Sequence, residues 1–474
     1  MLLAAYCFAF QGERHLFDPD EGRYSAVALQ MIKSNGWLVP RTSPGYEHWA
    51  KPPLAYWAIA GSLLTFGQNE FAVRFPNALA FLVTILLSFY LGKVFVSKRP
   101  WIVALIFATF LFPATVCNGA TTDYILTMWE TMAVCFFANA FWGKKENEQA
   151  TLILLMWVSF GLAFLTKGPP SLLPLFSIIA FLQLKGAKKM DFNMHWIRGS
   201  LILLLIASSW FLIVILKNPA LMRYFLWDEI VLRVFTSHHA RHSSWYAALT
   251  IFLPVLVLGA FPWWYYAGKG SVHLVKTVKK SLGLIYDEEN SQSLFLLLWF
   301  IIPLAVFVMA RSKLPLYVLP LFVPMAIMTA REIQRLNVSL HKIRYLIALW
   351  CVFIVLVRVI MASLNFKQDS SKFADEIKQK YPHSVQEIIF VDTVPAFGLQ
   401  FYTGSDVKRV SFEPSDLERE FAGNKSRLWL ILQNETEQFS KEASLHHAKV
   451  QELGAIAARE NYVLFREIDD KIQR

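Results

Sequence analysis

Charge is what this chain has least of for its length. Asp, Glu, Lys and Arg make up 17% of its 474 residues, against about a quarter in a soluble domain, so a large part of it is not built for water. Cysteine is scarce as well. Cys7, Cys117, Cys135 and Cys351 lie in or beside apolar runs, and none has the spacing of metal ligands, which excludes a zinc module and a disulfide framework. Residues 1–10 are apolar but lack the basic n-region and cleavage site of a signal peptide. They are also shorter than the ~20 residues a span needs, so either the natural start lies upstream, the favoured expectation, or the first helix is only partly represented. No internal repeat is evident, which weighs mildly against a secondary transporter.

Apolar residues are abundant instead, at 55%, with 15% aromatic. Apolar runs recur at roughly 1–11, 76–96, 101–117, 124–142, 151–166, 170–184, 199–216, 246–266, 293–310, 314–330 and 345–364. The expectation is a mainly α, polytopic transmembrane domain of about 11 spans over residues 1–364, the first truncated. The net charge of +11 does not point to nucleic acid, because its carriers sit in short clusters between apolar runs. These are Lys93, Lys98 and Arg99; Lys144 and Lys145; Lys185, Lys188, Lys189 and Arg198; Lys269, Lys276, Lys279 and Lys280; and Arg331, Arg335, Lys342 and Arg344. They fall on alternate loops, which the positive-inside rule makes cytoplasmic. Residues 12–75 and everything after 364 are then expected outside.

From Asn365 onward the composition becomes that of a soluble domain. The pattern predicts helices at 371–381, 396–402, 414–421 and 435–444, and strands at 387–392, 407–411, 427–432 and near 461–466. Alternation of this kind reads as a small α/β domain over 365–474.

In the long outer loop, Asp18-Pro19-Asp20-Glu21 reads as a helix start, with Asp18 as N-cap, Pro19 at the first position and Glu21 closing a capping box. Tyr24, Val27, Ala28, Met31 and Ile32 follow the spacing of one helical face, and Asn35-Gly36 ends it. An amphipathic helix along the membrane surface is expected. Asp20 is left over from the cap and heads the apolar stripe, with Arg23 one turn away. It reads either as a first-turn acid complementing the helix dipole or as a catalytic carboxylate. Further on, Lys51-Pro52-Pro53 sets Lys51 on a stiff segment before a helix beginning near Leu54, where the lysine either serves a ligand or snorkels to headgroups.

Several basic residues stand on the outer side against the topology rule: Lys167 in a short loop, Arg311 and Lys313 in another, and Arg223, Arg233, His238, His239, Arg241 and His242 in 217–245. An anionic partner explains them economically, with headgroup anchoring as the plainer account. Asp123 stands at the outer end of the fourth span, as a plain N-cap or a functional acid, and Glu130 lies seven residues deeper on the same face. The three histidines suggest a divalent metal only weakly, since neighbours at i and i+1 point apart on a helix.

Four motifs, Asp-Glu-Gly-Arg-Tyr at 20–24, Lys-Pro-Pro-Leu at 51–54, Thr-Lys-Gly-Pro at 166–169 and Ser-Lys-Leu-Pro-Leu-Tyr at 312–317, occur in this order on the expected outer face. Together they resemble the aminoarabinose transferase and protein mannosyltransferase superfamily, membrane glycosyltransferases of the C-type fold. The resemblance implies a polyprenyl-phosphate sugar donor, such as an undecaprenyl-phosphate pentose or hexose, and a lipid A, envelope-glycan or protein acceptor. It implies a bacterial cytoplasmic membrane, with the site and C-terminal domain on the periplasmic face. Asp20 matches the family's key acid, flanked by Glu21 and Arg23, and Lys51 matches the lysine facing the donor phosphate. Asp123 resembles the second family acid, while Lys167, Lys313 and Tyr317 match recurrent positions; Arg241 joins them as a candidate substrate contact. One departure is Ala50, where the aminoarabinose branch often has Glu before the lysine. It puts a carboxylate or metal role there in doubt, and lipid A with it. A transporter or lipid flippase with a cationic outer vestibule is the rival class; no cofactor is established by the sequence, and a divalent metal is the disfavoured option.

Overall fold

Proline decides where several of the apolar runs break. The computed structural model describes residues 1–96, 98–143, 146–185, 192–225, 227, 244, 246–281, 288–364, 366–422, 425–459 and 461–468. It divides into a helical unit (Met1–Ala9, Ala50–Ala55, Pro76–Arg358) and a sheet unit (Phe10–Trp49, Tyr56–Phe75, Val359–Arg474).

Among the described residues, seven helices are long and apolar enough to cross a bilayer: Glu70–Phe95, Thr122–Trp142, Gln149–Lys167, Trp196–Lys217, Glu288–Met309, Pro315–Arg335 and Arg344–Ser363. Each coincides with one expected span. The run at 246–266 instead falls on a pair, Ala248–Gly259 and Trp264–Lys279, bent by 110° around Pro262, which cannot continue a helix. Lys269, Lys276 and Lys279 therefore stand on the second arm rather than in a loop. The run at 101–117 splits into Trp101–Thr109 and Leu111–Val116, nine and six residues long. Pro113 has no N–H for the carbonyl four residues back, and the chain turns extended at Phe110. The run at 170–184 gives one short apolar helix, Pro169–Leu184, and residues 1–11 give Leu2–Phe8.

Small residues set the spacing of the spans. A Cβ on Gly161 would stand 2.8 Å from that of Ile206, so the helices Gln149–Lys167 and Trp196–Lys217 meet at close range. Arg358, 2% exposed, bonds the carbonyls of Tyr6 (2.6 Å) and Ala114 (2.9 Å). It thereby neutralises the open carbonyl ends of the helices Leu2–Phe8 and Leu111–Val116.

The sheet unit contains a short hairpin, β1 (Arg41–Ser43) with β2 (Tyr46–Glu47), and a five-stranded sheet. The strands of the latter are β3 (Glu387–Val391), β4 (Asp406–Val410), β5 (Arg427–Leu432), β6 (Val450–Ile456) and β7 (Tyr462–Glu467), in the order β4-β3-β5-β7-β6. β3 runs parallel to β4 and β5, and β7 antiparallel to β5 and β6. Alternation along the strands sends Ile388, Phe390, Leu428 and Leu430 to one core and Ile389, Val391, Trp429 and Ile431 to the other. Helices at Ser370–Lys380, Leu399–Thr403, Pro414–Phe421 and Thr436–Leu445 complete the α/β fold.

The helix Asp20–Ser34 belongs to this unit, and nine of its 15 residues are buried, including Ser25, Gln30 and Gly22. Gln30 and Lys33 both donate to Asp406 at the start of β4, at 2.7 and 2.9 Å. A helix on a lipid surface would bury one stripe only; this one is packed into protein.

Candidate functional site

The motif at 18–23 distributes three acids among three environments. Pro19, not Asp18, occupies the N-cap, and no side chain caps the helix. Asp18 turns away and accepts from Ser370 Oγ (2.6 Å) and the Gly398 amide (3.0 Å), with Arg459 at 3.4 Å. Burial raises its carboxyl above the usual range, opposed by Ser370, Arg459 and Gly398. The expected capping box is therefore absent: the Asp18 carboxylate is spent on the tail domain.

Glu21 is also committed. Its oxygens accept from Arg74 Nε (2.8 Å) and Nη2 (3.1 Å), from Arg14 (2.9 Å) and from the Phe17 amide (3.0 Å). Burial alone would raise its carboxyl, but the Arg74 and Arg14 guanidiniums outweigh it and hold it at about 2. Arg74 is fully buried and uses all its donors, with Gln11, Arg14 and His15 carbonyls taking the rest. The sequence reading missed Arg74 and Arg14; the only signal was a pair of arginines flanking a loop that must return to the start of a span.

Asp20 is left at the surface, its side chain 50% exposed, against 2% for Asp18 and 6% for Glu21. Arg23 pairs with it at 2.6 Å and lies over the Tyr24 ring, which in turn packs on Tyr56. The Nε–H of Arg23 is buried without a hydrogen-bond partner among the described residues.

In the helical unit, Thr121 is the N-cap of the helix Thr122–Trp142, its hydroxyl accepting from the Asp123 amide. The Asp123 carboxylate is thus released from capping and pairs with Lys167, both side chains nearly buried. Lys167 ends the helix Gln149–Lys167 and stands 4.8 Å from the Tyr317 ring centroid. The structure so brings together three of the expected residues, with Glu130 buried on the same helix as Asp123. Lys313 is 2% exposed and donates to the Ala310 carbonyl at 2.7 Å. Lys51 is half-buried just ahead of Pro52, Pro53 and the helix Leu54–Phe66. In the sheet unit, Glu47 accepts from Trp49 and faces Arg41 at 3.8 Å. Arg223, itself exposed, ends a short helix whose Leu221 is buried. Arg241, with Arg233, His238, His239 and His242, lies outside the described residues.

Residues 50–213 match the family described as dolichyl-phosphate-mannose-protein mannosyltransferase. The chain is 32% identical over 329 residues to the undecaprenyl phosphate-alpha-4-amino-4-deoxy-L-arabinose arabinosyl transferase of Edwardsiella ictaluri, a match covering 68% of this chain and 56% of that protein. A second such transferase, from Proteus mirabilis, is 32% identical over 330 residues, covering 67% and 55%. The chain belongs to the aminoarabinose transferase and protein mannosyltransferase superfamily. It spans little more than half the length of these curated superfamily relatives. The superfamily fold is seen in the crystal structure of ArnT from Cupriavidus metallidurans bound to undecaprenyl phosphate. That structure aligns with a TM-score of 0.81 at 17% identity over 99% of this chain and 97% of the other. An oligosaccharyltransferase from Archaeoglobus fulgidus aligns at 0.57 and 13% identity, over 93% of this chain and 68% of that one. As a superfamily member with seven or more apolar spans, the chain is a multi-pass membrane protein.

Proposed function

We propose that this protein is a membrane glycosyltransferase that moves a sugar from a polyprenyl phosphate to an acceptor outside a bacterial cytoplasmic membrane. The observation that carries the reading is the fate of the three acids at 18–21. Two are consumed in buried contacts, and Asp20 alone stands half-exposed beside an arginine. The names of the curated relatives and the undecaprenyl phosphate in the ArnT structure support a polyprenyl donor carrying a pentose or hexose.

In this reading the acceptor oxygen attacks the anomeric carbon, the bond from that carbon to the phosphate oxygen breaks, and polyprenyl phosphate leaves with inversion. A hydroxyl acceptor loses its proton to the Asp20 carboxylate, which the ion pair with Arg23 orients. A phosphate acceptor needs no base, and Asp20 then stabilises positive charge growing on the sugar. Lys51 meets the phosphate, whose charge rises as it leaves; Arg23 and Lys167 are the further cations, with Asp123 and Tyr317 holding Lys167 in place. Glu21 acts at one remove, by fixing the turn that presents Asp20. Lys313 buttresses the turn after Met309, and Arg241 is a further substrate contact. Lipid A, an envelope glycan and a protein are the acceptor classes, and the domain boundary near 364 leaves a periplasmic tail.

The purified chain in detergent, given an undecaprenyl-phosphate radiolabelled sugar with lipid A, glycan and peptide acceptors in turn, should transfer label to one of them. Failure of all three, with labelled lipid moved across reconstituted vesicles, would sink the enzyme reading in favour of a flippase.

A further inference from the structure

The superfamily chemistry does not explain why a soluble sheet domain grips the motif that carries Asp20. Leu16–Asp18 runs alongside residues 368–370 as a short ladder: Ser370 N donates to the Leu16 carbonyl (3.0 Å) and Asp18 N to the Gln368 carbonyl (3.0 Å). The Asp18 carboxylate is then held at three points by Ser370, Gly398 and Arg459. Arg459 is itself stacked on Phe373 of the domain core, 5.2 Å from the ring centroid. The approach is closest at two glycines. A Cβ on Gly22 would fall 2.1 Å from Asp18 Oδ1 and 2.5 Å from the Gly398 amide, and one on Gly398 would fall 2.2 Å from Ser370 Oγ. Asp20 stands midway between the two clamped positions, 18 and 22, and follows a proline whose ring fixes its own φ. Little slack remains in the backbone that carries it.

We propose that Ser370, Gly398 and Arg459 are positioning residues for the transfer reaction, acting on Asp20 through Asp18 and Gly22, so that the C-terminal domain is a working part of the site. The proposal rests on the role given to Asp20 above. A carboxylate displaced by about 1 Å from a reacting group can lose about a hundredfold in rate, and the clamp is what prevents that displacement. Donor binding, in this scheme, does not pass through the clamp.

The test compares three variants of the full chain in detergent, reading kcat, donor KM and thermal midpoint. Ser370→Ala removes one bond and Asp18→Asn weakens all three; Leu417→Ala is the control. Leu417 is fully buried in the core on the other side of the sheet, so its truncation lowers the midpoint without touching the clamp. Asp18→Asn should lower kcat by about tenfold to a hundredfold with donor KM within about twofold, and Ser370→Ala should lower it less. Leu417→Ala should melt earlier at undiminished kcat. A folded Asp18→Asn with wild-type kcat overturns the proposal, as does a Leu417→Ala whose kcat falls as far. Asp20→Asn alongside separates the two claims. If it is inactive while Asp18→Asn is normal, only the clamp falls; if it is fully active, the role of Asp20 falls and the purpose of the clamp with it.

Discussion

Neutralising Asp20 and neutralising its neighbour Glu21 should injure the protein in opposite ways. Asp20 is half-exposed and makes one ion pair, with Arg23. A pair so open to solvent is worth about 0–1 kcal/mol, and Asn keeps the shape, so Asp20→Asn should fold and melt nearly as the wild type does. If the carboxylate is the base, however, its loss removes about 10²–10⁴ in rate. Glu21 is buried against two guanidiniums. Glu21→Gln leaves Arg74 and Arg14 without their counter-charge inside protein, a defect of about 3–5 kcal/mol when one partner of a buried pair is removed. The assay is label transfer from the lipid donor, normalised to folded protein by thermal unfolding in the same detergent. Asp20→Asn should be stable and nearly inert, whereas the fraction of Glu21→Gln that folds should retain measurable turnover. Turnover within a few-fold of wild type for folded Asp20→Asn would refute the assignment.

Lys51→Ala should cost about 2–4 kcal/mol of transition-state stabilisation, and Lys51→Arg should recover only part because the guanidinium fork does not sit where the ammonium does; normal kinetics in folded Lys51→Ala would remove the phosphate role. A periplasm-dependent reporter fused after residue 370 should be active, and one fused near Lys280 inactive; reversal of either would invert the proposed orientation. The sheet unit should lose stability in acid. Glu21 is held at about 2 and Glu387, against Lys425, Arg427 and Lys408, is also at about 2 despite burial. Both are depressed relative to an unfolded value of about 4.3, so their contribution is complete above that value and disappears as pH falls towards 2. Asp18, raised by burial, works the other way and recovers stability on protonation. Urea midpoints between pH 7 and pH 2 should therefore fall, with a shallower slope in Glu21→Gln; a flat profile would contradict the ion-pair reading.

The tail domain was legible because its signals are local. Runs such as Leu428–Leu432 alternate between two cores, and helices fill the intervals, so every expected strand and helix is present within a few residues. β6 was overlooked because Gln451, Glu452 and Gly454 lie on an edge with little burial to impose a pattern. The helix ends of the outer loop misled for the opposite reason. Asp18-Pro19-Asp20-Glu21 satisfies the local rules of a cap, but partners more than 300 residues away, Ser370 and Gly398, compete for the Asp18 carboxylate and win. Arg74 left only a faint signal, since its value lies in Glu21 and in the carbonyls of a loop whose path the sequence does not reveal. The runs at 101–117 and 246–266 satisfy hydropathy, but Pro113 and Pro262 break them, the first into two short helices and the second into a pair bent by 110°.

The pairing of Ser370 with Asp18 spans 352 positions of chain, which has a consequence for how the protein is made. At about 5–20 residues per second, the ribosome needs roughly 20–70 s to deliver Ser370 after Asp18 has emerged. For that interval the helix Asp20–Ser34 has no Asp406, Gly398 or Ser370 to rest on, and its Val27, Ala28 and Met31 have yet to find their cover. The first loop must therefore wait, unfinished, until the tail arrives. Nascent chains arrested before residue 370 should accordingly leave this loop open to protease, and release of full-length chain should close it, making the final hundred residues the step at which the first loop is completed.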